Sequence, residues 1–294
     1  DPTQQAVLLT EAPMNPKVNR ERMAEVLFES MDVPAMQIQI QAVLSLYCAG
    51  RITGCVLDCG DGVTHSVPVF EGHSIPTAVR RLDLAGRDLT EWMMELLSDE
   101  TDVPFTTTKE RETARGIKES LGYVAMDFDA ELDKADAEGS EEAEALKSTY
   151  TLPDGKEITI GRAKFCCPEL MFNPSIAEKP CSSIQQIVHD SIQECGVDIR
   201  RALLHDIILS GGTTMFKGMP ERLTKEVMAL TTKRGQDDVR VVAPGERKFS
   251  VWMGAAILSS LTSFSQEWIT KAEYMEDGKQ VVHRRCNAHD FVDK

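Results

Sequence analysis

The chain has 294 residues, with 47 acidic and 32 basic side chains and a formal net charge of −15. That balance excludes a nucleic-acid binder, which needs a basic surface to displace counterions from phosphates, and no apolar run approaches the roughly 18 residues that cross a bilayer. At 42% hydrophobic residues the chain carries enough core for one large or two ordinary domains, and its acidity suits a metal, a metal–nucleotide complex or basic protein partners.

In chain order, Val7-Leu8-Leu9-Thr10 reads as a short strand ended by the turn-rich Glu11 to Pro16. Asn19 is expected to cap a helix carrying Met23, Val26 and Leu27. The alternation Met36, Ile38, Ile40 reads as a strand, and Gln41 to Tyr47 as a helix broken at Gly50. Ile52 to Leu57 and Val63 to Phe70 are strand-like and are joined by Asp58-Cys59-Gly60-Asp61-Gly62, a strong hairpin signal.

Helices are expected over 86–98 and 108–121. From Asp127 to Glu144 nine carboxylates face one lysine, Lys134, so this stretch reads as a solvated or partly disordered surface loop. Tyr150 to Ile160 turns at Pro153-Asp154-Gly155 as a second hairpin. A helix over 182–195, a strand Asp206 to Leu209, a helix near 218–230, a strand Val239 to Val242 and a helix over 250–263 complete the pattern. Alternating strands and helices with embedded hairpins make a mixed α/β fold around a core sheet. The eight cysteines form no CxxC pair and are expected as reduced, mostly buried thiols. Asp1-Pro2-Thr3 has neither an initiator Met nor a signal pattern, so the chain is expected to start inside something longer or to be processed.

Two features point to chemistry. The Gly-rich hairpin Asp58 to His65 can present successive backbone N–H groups to phosphate oxygens, and a strand-end Asp can hold Mg²⁺ directly or through water. Leu209-Ser210-Gly211-Gly212-Thr213-Thr214 is a strand ending in Gly-Gly, which lets a ligand approach the backbone closely. Each alone is an ordinary tight turn. Together they suggest two walls of a nucleotide cleft.

These same residues carry a resemblance. Leu8 to Lys17, Ile40 to Tyr47, Leu57 to His65, Leu82 to Thr90, Leu209 to Met215, Glu246 to Trp252 and Trp268 to Lys271 resemble blocks of actin, in family order and across essentially the whole chain. The resemblance implies an actin-like ATPase fold, with RNase-H-like subdomains flanking a nucleotide cleft and the family's N-terminal part missing. It divides the chain into residues 1–48 with 250–294 as the remainder of a first subdomain, 49–84 with 180–249 as a third, and 85–179 as a fourth containing the acidic loop 127–146.

What the resemblance implies for function is an ATP- or ADP-binding protein with Mg²⁺ or Ca²⁺, slow ATP hydrolysis and assembly with itself or other actin subunits in the cytoplasmic cytoskeleton. Asp58 would orient the metal's waters, and Gly60, Asp61, Gly62 and Val63 would face the phosphates. Gln41 and His65 match the pair that positions the attacking water. Arg115, Lys118 and Glu119 share one helix face and would meet the nucleoside opposite Gly211, Gly212, Thr213, Met215 and Phe216, with Lys248 nearby. Read without the family, that trio is a solvated charged face.

Tyr47, Gly50, Ile52, Ile257, Leu258 and Leu261 match an apolar cleft that receives helices of actin-binding proteins, with His73 at its rim in place of a tyrosine. Read without the family, Ile257, Leu258 and Leu261 are a core stripe. Phe216 replaces a tyrosine, charged Glu178 and Lys179 replace an apolar filament loop, and the tail Cys286 to Lys294 runs past the usual ending. The charged loop raises an alternative, a non-polymerising scaffold subunit that holds nucleotide structurally. A sugar-kinase-type enzyme on the same superfamily fold is disfavoured because the matching blocks are actin's own.

Overall fold

The computed structural model describes residues 1–286 except positions 138, 233, 234, 236 and 237; the tail beyond Cys286 singled out above lies outside the described residues. The chain opens with β1 (Val7–Glu11) and α1 (Lys17–Glu25). Pro16, not Asn19, precedes the first helical residue, and the Asn19 N–H donates to the Pro16 carbonyl at 2.9 Å. Proline's fixed φ suits it to a helix start, which moves the boundary three residues earlier than the polar cap signal suggests.

β2 (Ala35–Ile40) lies parallel to β1, with Leu9 beside Ile38, and passes directly into α2 (Gln41–Cys48). β3 (Gly54–Cys59) and β4 (Thr64–Phe70) form the expected hairpin, followed by β5 (His73–Ser74) and β6 (Arg80–Leu82), both antiparallel to β4. The apolar period of α3 (Gly86–Glu100) buries Leu89, Met93 and Leu97. α4 (Thr108–Leu121) begins at a capping box in which Thr107 and Glu110 satisfy each other's backbone N–H groups.

The acidic stretch is not a loop. It forms α5 (Phe128–Asp136) and α6 (Glu141–Leu146), capped by the Asp127 carboxylate on the Ala130 N–H and the Ser140 hydroxyl on the Ala143 N–H. Phe128, Leu132 and Ala135 recur at helical spacing and pack against Ala125, Phe165 and Cys166. The described carboxylates face outward, except half-buried Glu131, which accepts from the Tyr123 hydroxyl at 2.7 Å, so net charge was a poor guide to order here.

β7 (Ser148–Thr151) and β8 (Glu157–Ile160) make the second hairpin. α7 (Ala163–Phe172), which the sequence patterning did not reveal, is buried along its whole length despite Pro168. α8 (Ile184–Glu194), α9 (Val197–His205), β9 (Ile207–Ser210), α10 (Met219–Leu230) and β10 (Val241–Val242) follow, and α9 too was missed. The last elements are α11 (Ser250–Ser260), β11 (Ile269–Thr270), α12 (Lys271–Asp277) and α13 (Val281–Arg285).

Strand order in the larger sheet is β10-β9-β3-β4-β5, with β6 on β4, while β1-β2-β11 form a smaller one. Alternation along β3 sends Cys55, Leu57 and Cys59 into the main core with α3, α4, α7, α8 and α10. Val56 instead joins Val67, Ile208 and the α2 residues Ala42, Val43 and Leu46 on the opposite face. Each such fully buried aliphatic side chain stabilises the fold by about 1.5–3 kcal/mol. α2 and α11 pack so closely that a Cβ on Gly254 would lie 1.9 Å from the Leu44 carbonyl oxygen. The cysteines are free thiols, buried except for exposed Cys181 and partly exposed Cys48. Burial pushes Cys55 and Cys167 up to about 12, so these are unreactive core residues. Among the described residues no helix is long and apolar enough to cross a membrane.

Candidate functional site

β3 and β9 run parallel and end side by side, Asp58 level with Ser210. The carboxyl ends of neighbouring parallel strands are where α/β sheets open a crevice. Asp58 also stands directly across from His65 on β4, which puts Asp58, His65 and Ser210 on one face of the sheet. That face looks toward α2, the helix that Gln41 opens. The Gln41 amide donates to the Thr10 hydroxyl at 3.4 Å. Ser210 joins Ser45 of α2 (2.9 Å) and Ser250 of α11 (3.0 Å) in a buried hydroxyl network, and Ser45 also donates to the Gln41 carbonyl. This serine network fixes α2 against the strand end. Sequence reading missed it, because three serines from distant segments carry no local signal.

The hairpin tip and the Gly-Gly turn come together. Gly211 has φ +89°, and an added Cβ there would sit 2.2 Å from the Cys59 carbonyl oxygen, so only glycine lets the two strand exits touch. Gly60 and Gly62 are different. Neither has positive φ; a Cβ on Gly62 would meet no protein atom within 4 Å, and one on Gly60 would make only ordinary contact at 3.7 Å with the Val63 carbonyl oxygen. Folding therefore does not require glycine at either position. The Gly60 N–H is spent within the turn on the Val63 carbonyl at 3.2 Å. The Gly60 N–H is thus already engaged, against the expectation of a free donor there, whereas Asp61 and Gly62 sit at the exposed tip with half-buried Val63 beside them.

A cavity of about 440 Å³ opens beside this junction, lined by Gly60, Asp61, Gly86, Arg115, Lys118, Glu119, Gly212, Thr213, Met215, Phe216 and Lys248. All but Gly86 were singled out from the sequence, although they come from four separate stretches of chain. Gln41, Asp58, Gly62, Val63, His65 and Gly211 are not among its lining residues. They frame the strand exits beside it. Gly86 was missed because a helix-opening glycine has no local signature of a wall.

The α4 face is not simply a solvated stripe. Arg115 and Glu119 are exposed, but Lys118 is buried, and its ammonium donates to the Gly86 carbonyl at 2.8 Å and the Thr90 hydroxyl at 2.9 Å. Burial holds the Lys118 amine below its ordinary range, against the opposing pull of nearby Glu119 and Asp61. Phe216 is buried beside Gly122, and Met215 is exposed at the rim.

Removal from water raises the Asp58 carboxyl, and a hydrogen bond from Ser210 pulls the other way. Burial, with the positive charge of Arg81, pushes His65 down to about 4, so its imidazole is neutral at physiological pH. Such a ring can accept or relay a proton.

At the other end of α2, Tyr47 reaches the β4–β5 turn, where a Cβ on Gly72 would lie 2.7 Å from its hydroxyl. Gly50, Ile52 and His73 are exposed around it, and the His73 ring nitrogen Nδ1 lies 3.0 Å from the Glu71 carbonyl. Leu258 is partly buried, whereas Ile257 (45% exposed) and Leu261 (49%) face outward, as do Trp252 and Phe249. The reading of Ile257 and Leu261 as a core stripe is therefore corrected. Among protein-family models, the one described as Actin matches residues 1–287.

Proposed function

From the premise that this chain belongs to the actin family, we propose that the cavity binds ATP or ADP with a divalent cation, and that slow ATP hydrolysis is coupled to filament assembly. The observation that carries this reading is one cavity. It gathers a Gly-rich hairpin tip, a charged helix face with a buried lysine, and a Gly-Gly turn with a buried aromatic. A cavity of about 440 Å³ has the size of a ligand site.

The residues fit such a ligand. The hairpin N–H groups of Asp61, Gly62 and Val63 would face phosphate oxygens, and glycine at 62 leaves open the space that a side chain would fill. Phe216 and Met215 supply apolar surface for a base, and Arg115, Lys118, Glu119 and Lys248 supply polar groups around a ribose. Among the described residues no cluster of three or more His, Cys, Asp or Glu forms a metal cage. A cation would therefore rest on Asp58, phosphate oxygens and water, as Mg²⁺ commonly does. When bound, it would neutralise charge on the phosphates.

The chain's own residues then have distinct tasks. Gln41 would orient a water through its amide, which does not titrate, and neutral His65 would accept or relay that water's proton. Asp58, opposite His65, would stay ionised beside the cation despite the upward pull of burial. The division into subdomains given above remains part of the same proposal, as does an apolar cleft for actin-binding proteins around Tyr47, Ile52, Ile257 and Leu261.

Phosphate release in Gln41→Ala and His65→Ala variants tests the catalytic assignments. Both are expected to slow release, and unchanged rates would remove them. A second reading, a non-polymerising scaffold subunit, draws on Glu178 and Lys179, which are both exposed on the 174–180 loop. Burying either charge unpaired between subunits would cost several kcal/mol. Sedimentation with Mg-ATP at tens of micromolar separates the two, since a pelleting polymer excludes the scaffold reading.

A further inference from the structure

The start of α3 has no side-chain cap of the usual kind. Its N-cap is Ala85, which offers no acceptor to the orphan N–H groups of the first turn. The hairpin tip takes that role. The Gly86 N–H donates to the Gly60 carbonyl at 3.1 Å and the Arg87 N–H to the Asp61 carbonyl at 2.8 Å. The Gly60 carbonyl accepts a second, shorter bond of 2.7 Å from the Thr213 hydroxyl, which reaches it from the Gly-Gly turn 153 residues away. Thr213 is buried.

In a trans peptide the C=O and the next N–H lie in one plane and point in opposite directions. Two donors gripping the Gly60 carbonyl therefore aim the Asp61 N–H away from α3 and Thr213. The Arg87 bond on the Asp61 carbonyl does the same for the Gly62 N–H. Without these contacts a Gly-rich tip would sample many orientations, because glycine restricts the backbone least. From this geometry we infer that Thr213 is a positioning residue: its hydroxyl, with the first two amides of α3, locks the hairpin peptides so that the Asp61 and Gly62 N–H groups are preset to receive an anionic ligand.

The inference rests on the nucleotide reading for the identity of that ligand and refines the part Thr213 plays. Its hydroxyl is committed to the hairpin rather than to the ligand, so its effect belongs to the phosphate end. The Gly-Gly turn thereby links the nucleoside wall to the phosphate wall, since Thr213 lies between Gly212 and Met215 in the cavity lining.

The test compares Thr213→Val, which keeps the shape and removes the hydroxyl, with Thr213→Ser, which restores it. Binding of Mg-ATP, Mg-ADP and adenosine is measured on the full chain, and amide hydrogen exchange is followed in the nucleotide-free protein. Thr213→Val is expected to weaken ATP and ADP binding about five- to tenfold, the worth of one hydrogen bond. Adenosine binding should stay within about twofold, and Thr213→Ser should recover most of the loss. Exchange at Gly86 and Arg87, whose N–H groups bond the two hairpin carbonyls, should rise in Thr213→Val, while its urea midpoint drops only slightly, as for one lost hydrogen bond. Equal losses for adenosine and ATP, no loss for either, or unchanged exchange at Gly86 and Arg87 would overturn the inference. Failure of the wild-type chain to bind ATP overturns the nucleotide reading instead, and the exchange measurement on unliganded protein still decides the clamp.

Discussion

Two glycines at the site make opposite predictions when replaced by alanine, and the contrast follows from the coordinates. At Gly211 an alanine must adopt φ near +89°, and its methyl group would lie 2.2 Å from the Cys59 carbonyl oxygen and 2.6 Å from its carbon. That backbone, with ψ 153°, is essentially glycine's alone and costs another residue about 1–3 kcal/mol, and forcing two strand exits apart adds about 1–3 kcal/mol of overpacking. Gly211→Ala is therefore expected to lose about 2–6 kcal/mol of stability. Gly62 has ordinary φ and open space around the position of a Cβ. Gly62→Ala should leave stability unchanged or raise it by about 0.4–1 kcal/mol through the unfolded state. If a phosphate takes the open space beside Gly62, as proposed, a methyl group there should weaken Mg-ATP binding at least about tenfold, ~1.4 kcal/mol. Urea denaturation with a parallel ATP titration reads both quantities. A Gly62→Ala protein that binds ATP within twofold of wild type, or unfolds as early as Gly211→Ala, would refute the argument that this glycine serves a ligand.

Other outcomes follow from the same contacts. His65 titrates near 4 when folded against an ordinary 6.5, so the unfolded state binds the extra proton between these values and stability falls as pH drops through that window, by up to ~3 kcal/mol. His65→Gln should flatten that part of a urea-midpoint-versus-pH curve. Glu169 and Arg222 form a buried two-point ion pair with bonds of 2.9 and 3.0 Å. Arg222→Met strands the carboxylate and should cost about 3–5 kcal/mol in a denaturation experiment, and a loss below 1 kcal/mol would contradict that reading. Gly254→Ala should separate α2 from α11 and cost at least ~2 kcal/mol by the same measurement, whereas Gly245→Ala, with no atom near its Cβ, should be neutral.

Much of this was legible in the sequence where local chemistry decides structure. The Asp58–His65 hairpin was readable because Asp61-Gly62 sits between β-branched runs, and α4 because Thr107 and Glu110 form a capping box. α5 was misread because nine carboxylates drew attention from Phe128, Leu132 and Ala135, whose spacing marks a buried face. α7 was missed because it is buried on all sides, Lys164 and Glu169 included, so it has no amphipathic period to detect. At the site, the residue types were visible but their environments were not. Lys118 reads as one member of a charged face until Gly86 and Thr90, from another helix, close around its ammonium. The Thr213 bond to Gly60 and the Ser45–Ser210–Ser250 network join residues far apart in sequence, and no spacing rule announces either.

The central claim is that the cavity between the hairpin tip, α4 and the Gly-Gly turn takes an adenine nucleotide with a divalent cation. Isothermal titration of the purified chain with ATP, in the presence and absence of Mg²⁺, tests it most directly. The account predicts one site per chain, tighter with Mg²⁺ and weakened by Gly62→Ala. No heat of binding at millimolar Mg-ATP, or binding that Gly62→Ala leaves untouched, would contradict it.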